Sequence, residues 1–321
     1  MSASRIPKRT GAGIVLIVAG VCAWAAVAGA HVVSDRELRV VAQIPAAIGA
    51  RIGGAPDTAG YVAPNRAGRA VSLGAQRPAT LRLIVAAAHA DTAAAERSWR
   101  AVELGFRTIR GAPGIPLARD DRAAFDRTAW AGSACRAFIA VMNSGLADRF
   151  RPRYAGLKHE LEGVMDSLVR RSDALIVANA GRGGALLTIA SAFTLAEATF
   201  HDERFGVAAK AALAAGLALQ RGDGAFTSDV DVDPREHALG LEALQAIVVY
   251  VPTPAAEAAA SRGAEWLRAH AVLGAAKSRA GATIAAVGPG EVRFVVAYAA
   301  TPMPRATPIH PTTGVEGFMK H

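Results

Sequence analysis

Cysteine is almost missing from this chain: Cys22 and Cys135 are the two thiols in 321 residues. Cys22 lies inside an N-terminal apolar run, so the body of the protein keeps one thiol, which excludes an intramolecular disulfide framework. Stability must then come from burial, and the length supports one large domain. Aromatics are sparse as well, at 6%, and none interleaves with a block of Lys and Arg. That removes the usual footprint of a nucleic-acid binder. No P-loop, dinucleotide glycine fingerprint, His-Glu-x-x-His or Gly-x-Ser-x-Gly occurs. The chemistries those motifs serve lack their sequence marks, and no cofactor or metal is expected.

What is present begins with an export pattern. Arg5, Lys8 and Arg9 form a basic region, Ile14 to Ala28 is apolar, and Ala28-Gly29-Ala30 fits a small-residue cleavage site. The run is short against the about 20 residues of a membrane span. Residues 1–30 are therefore expected to be a cleaved signal peptide, the alternative being an uncleaved inner-membrane anchor at 12–30. Periplasmic or secreted placement follows. Cleavage would remove three bases and no acid, taking the net charge from +9 to +6. A mildly basic exported protein suits an anionic polymer or an envelope surface.

Residues 31–78, rich in Gly, Pro and Ala, are expected to be irregular apart from a short helix near 39–52. From 79 to about 275 helical periodicity is sustained and alternates in kind. Ala95, Trp99, Val102, Phe106 and Ile109 form one stripe opposed by Glu96, Arg100 and Glu103; Leu157, Leu161, Val164, Met165 and Leu168 form another. Ala256, Ala259, Gly263 and Trp266 form a third. Each such helix has one wet face. Between them, 130–142, 185–200 and 235–251 read as apolar nearly all round, hence buried on most sides. Wet and buried helices pair into four hairpins, at about 79–110, 127–171, 184–220 and 235–273, with inner helices enclosed and outer helices facing solvent. Residues 276–300 read as a short β hairpin around Gly288-Pro-Gly290, with a buried helix at 291–300 as the alternative. Residues 301–321, rich in Pro and Thr, are expected to be disordered.

If the inner helices run parallel, the loops entering them share one end: 111–126, 172–184 and 221–234. These loops carry Asp120, Asp121, Asp126, Asn179, Arg182, Asp223, Asp229, Asp231 and Asp233, with His237 one turn into the next inner helix. Helix N-termini there favour anionic ligands. The run Asp229-Val-Asp-Val-Asp233-Pro-Arg-Glu-His237 reads first as a helix start, with Asp233 as N-cap, Pro234 at the first position and Glu236 at the third. The EF-hand calcium pattern fails, because Pro234 stands at its glycine and Gly240 at its bidentate Glu. Asp229 and Asp231 remain free to act as catalytic or sugar-binding carboxylates. His237 reads as a general base or a core histidine. Trp130 reads as a sugar-stacking platform or a core residue.

The segment Lys210–Phe226 resembles the repeat of terpenoid cyclases and related α/α-toroids, in which a helix ends in Gln, a Gly turn and an aromatic. Gln220, Asp223, Gly224 and Phe226 match, with Phe in place of the usual Trp. The closer likeness is to exported toroids of the polysaccharide lyase and glycoside hydrolase type, in layout over about 90–273 and in motif over 217–245. It implies an all-α toroid, incomplete at about four hairpins, with a short β-like C-terminal segment. It also implies an envelope polysaccharide as partner, uronate-containing if the chemistry is that of a lyase. Such lyases neutralise the uronate with Asn, Arg or Glu and abstract a proton with Tyr or His. Asn179, Arg182 and Arg235 would then bind substrate, with Trp130 stacking, and His237, Asp229 and Asp231 would do the acid/base work. The competing class is a non-catalytic helical scaffold or envelope assembly factor with a protein partner.

Overall fold

Capping residues and apolar stripes set the helices of this all-α protein. The computed structural model describes residues 55–113, 117, 123–226, 234–270, 282–288 and 291–297, with Leu38, Val41 and Ala42. The export pattern, most of the 31–54 segment and the 301–321 tail lie outside them. Helix α1 (Leu73–Gln76), capped by Ser72, runs through Arg77 into α2 (Pro78–Ala88). Pro78 sits at the first position of α2, where its missing N–H is no loss. Four helix pairs follow. Helix α2 pairs with α3 (Thr92–Ile109), and α4 (Ala123–Met142) with α5 (Ala147–Val169). After the short α6 (Ser172–Ala178), α7 (Gly183–Phe200) pairs with α8 (Glu203–Ala218), and α9 (Pro234–Tyr250) with α10 (Pro254–His270). Connections of two to four residues within each pair make the partners antiparallel. These pairs fall within a few residues of the expected hairpins. Helix α6 lies where a loop was expected; Leu175 buries its one apolar side and Asn179 closes its end.

The first member of each pair packs on the next first member: α2 on α4, α4 on α7, α7 on α9. Burial follows this order. Residues 183–196 of α7 are buried without interruption, whereas α5 buries only Phe150, Leu161, Met165 and Leu168. Helix α7 is long and apolar enough to cross a membrane, yet 83% of it is buried inside the protein, as an enclosed helix in a layered array would be. Gly184 permits the closest approach in that layer, since a Cβ there would collide with the backbone carbonyl of Glu236 on α9.

Aromatic packing ties the first two pairs together. Trp99 stacks on Phe138 at 5.3 Å and meets Phe150 at 4.8 Å, while Phe106 meets Trp130 edge-on at 5.1 Å. Each such buried ring contributes about 1.5–3 kcal/mol. Arg153 covers this cluster, its guanidinium 5.3 Å from the Trp99 ring and paired with Glu96 and Glu103 of α3. The basic turn at 149–153 is thus spent largely on the neighbouring helix. Gln76 anchors the preceding segment: its amide donates to the carbonyls of Gly60 and Ala101, and its oxygen accepts from Asn65 and Val62.

The Gln220–Phe226 turn is the joint between the third and fourth pairs. Gln220 donates to the carbonyls of Gly224 in its own turn and Ala259 on α10, at 3.0 and 2.8 Å. Gly224 adopts φ 95°, open to glycine at little cost, and Phe226 is fully buried. Near the C-terminus, β1 (Ala282–Gly288) pairs antiparallel with β2 (Glu291–Ala297).

Candidate functional site

Because each of α4, α7 and α9 is followed by an antiparallel partner, their N-termini lie at one end, and Arg182 links all three. It occupies the N-cap position of α7. One amino group donates to Asn179 Oδ1 at 3.1 Å and the other pairs with Glu236 Oε1 in the first turn of α9. Its guanidinium lies over the ring of Phe125, in the first turn of α4, at 5.4 Å. Asn179 in turn donates to the Leu175 carbonyl. Two of the expected substrate-binding residues therefore come together here, with a partner the sequence reading had assigned elsewhere. Glu236 does not act only as a helix-start residue; its carboxylate reaches across to α7. Its side chain is 8% exposed, and Oε2 is buried with no hydrogen-bond partner among the described residues, packed over Gly184. A buried carboxylate oxygen without a donor is costly and rarely retained without a use.

A second polar layer lies deeper between the same helices. Thr188 and Glu242 stand six residues past Arg182 and Glu236, about 9 Å along the helix axis at 1.5 Å per residue. They line a pocket of about 20 Å³ together with Arg77, Ser133, Arg136 and Ser191. Small residues make the space: Ala129 and Gly132 on α4 and Ala192 on α7. Arg77, at the junction of α1 and α2, pairs with Glu242 of α9 at 2.5 Å and donates through Nε to Ser133 Oγ at 2.9 Å. This ion pair joins the first helix of the inner set to the last. It is also buried, with the Glu242 side chain 3% exposed, so its attraction has to offset a large desolvation penalty. Reading α4 and α9 as apolar nearly all round hid this layer. The available signal was a charge in the middle of each, Arg136 and Glu242, on a stretch of helix with no wet face to receive it.

The other expected site residues lie elsewhere. His237 has no exposure, and backbone groups engage both its ring nitrogens. Nδ1 accepts from Phe226 N–H at 3.2 Å and Nε2 contacts the Gly263 carbonyl at 2.8 Å. These partners assign the neutral tautomer with its proton on Nε2. The ring also packs on Trp266 at 4.4 Å, so the general-base reading gives way to the core reading. Trp130 is likewise fully buried, packed against Gly105 of α3. Asp229, Asp231 and the Arg235 side chain lie outside the described residues. Burial pushes the Cys135 thiol up to about 12, which removes it as a nucleophile near neutral pH.

Among the described residues, no group of three or more His, Cys, Asp or Glu converges in a way that could hold a metal ion. No family model, curated protein or solved structure matches this chain.

Proposed function

We propose that the protein is an exported α/α-hairpin array, arranged as an incomplete toroid, that binds and processes a uronate-containing envelope polysaccharide at the N-terminal end of its inner helices. The carrying observation is Glu236: one carboxylate oxygen is held by Arg182 and the other is buried with no hydrogen-bond partner among the described residues. Support for the toroid comes from the Arg77–Glu242 pair, which spans from the first inner helix to the last. Arg182 and the Asn179 amide offer N–H donors to a uronate carboxylate, and three helix N-termini add favourable potential. In a lyase reaction Glu236 takes the proton from C5, and that electron pair becomes the C4–C5 double bond. The bond from C4 to the glycosidic oxygen then breaks, and the oxygen takes a proton from water. In a hydrolase the same carboxylate serves as one of the acid/base pair.

The test is incubation of wild type and Glu236→Gln with a panel of uronate polymers. Unsaturated product, seen by ultraviolet absorbance, or new reducing ends is expected with wild type. A loss of about 10²-fold or more is expected in the variant, the scale of a missing acid/base group. The small volume of the pocket between these helices, about 20 Å³, favours the competing scaffold reading. Neither product from any polymer, with no polymer binding by calorimetry, would leave that reading standing alone.

A further inference from the structure

We infer that the deeper pocket, independently of any polysaccharide at Arg182 and Glu236, is a binding site for one small monovalent anion of about the size of chloride. Its space of about 20 Å³ admits a single water-sized occupant. Among the polar groups of the lining, donors predominate. Arg77 offers a guanidinium from the α1–α2 junction, α4 carries the Arg136 guanidinium and the Ser133 hydroxyl, and α7 carries the Ser191 hydroxyl. Ser133 Oγ already accepts from Arg77 Nε, so its own proton remains to be given. Ser191 has no hydrogen-bond partner among the described residues, although Thr188 and Thr194 on the same helix both donate to carbonyls four residues back. The one carboxylate in the lining, Glu242, is engaged by Arg77. An occupant meeting two hydroxyl protons and guanidinium edges in a buried space is best an acceptor with no protons of its own. A halide meets that requirement, and low polarity around it strengthens each contact.

Thermal unfolding of the full chain, with chloride replacing isethionate at constant ionic strength, tests this without a change in screening. The midpoint should rise and saturate, by on the order of 3–5 °C once chloride is tenfold above its dissociation constant. Ser191→Ala should at least halve that rise. It removes one hydroxyl from a preformed cavity and leaves the helix intact. Equal midpoints in the two salts would overturn the inference. So would a full chloride response in Ser191→Ala, which would place the ion elsewhere.

Discussion

Replacing His237 with Ala separates a structural histidine from a catalytic one. Its two ring nitrogens satisfy the Phe226 N–H in the joint and the Gly263 carbonyl in α10, both in a region with no solvent access. Alanine leaves the Phe226 N–H without its imidazole acceptor, at about 1–3 kcal/mol, and takes from the Gly263 carbonyl, which α10 still engages, its side-chain donor. It also opens a cavity beside Phe226 and Trp266, whose rings lie 5.6 and 4.4 Å from the imidazole. Some relaxation is expected, so the combined loss should be about 3–5 kcal/mol, at the upper end for one substitution. Against a typical total of about 5–15 kcal/mol, that is a large fraction. Urea unfolding followed by far-ultraviolet circular dichroism would show it as a lower midpoint at unchanged slope. A loss below about 1 kcal/mol would refute the structural reading. It would do so most plainly if polymer processing were abolished at the same time.

Two further perturbations follow from the packing. Gly184→Ala drives a methyl group into the Glu236 backbone and should cost about 1–3 kcal/mol by overpacking. A midpoint unchanged from wild type would show that α7 and α9 are not held as closely as described. Glu96 gives a pH-dependent case. Burial raises its carboxyl, but hydrogen bonds and charge from Arg149 and Arg153 together hold it below its ordinary 4.5. A depressed folded value means that the stabilisation is present above the unfolded value and disappears as pH falls through the folded one. The stability gap between wild type and Glu96→Gln should therefore be open at about pH 7 and narrow progressively as pH falls below the ordinary carboxylate range. A gap independent of pH would rule out the ion pair as its source.

Much of the architecture was legible because helical periodicity is a local property. Trp99, Val102 and Phe106 mark the buried face of α3, and Leu161, Met165 and Leu168 that of α5, before any partner is known. The Gln220–Phe226 turn announced itself as a joint through its glycines and terminal aromatic, and its side chains do hold α8 to α10. The site was less legible. Asn179 and Arg182 were reachable because both lie just before an enclosed helix. Glu236 was masked by its fitness for a helix start, and Arg136 and Glu242 by the apolar residues around them.

The sequence by itself determined that this protein is helical, where its helix pairs begin and end, and which helices are enclosed. Each of those depends on spacing within a turn or two of chain. Only the tertiary structure decided which polar groups meet. Arg182 finds Glu236 across 54 residues and Arg77 finds Glu242 across 165, while His237 turns to the Gly263 carbonyl. Periodicity states which side of a helix is covered. What covers it depends on the rotation and height of another helix, and those are set only when the pairs pack.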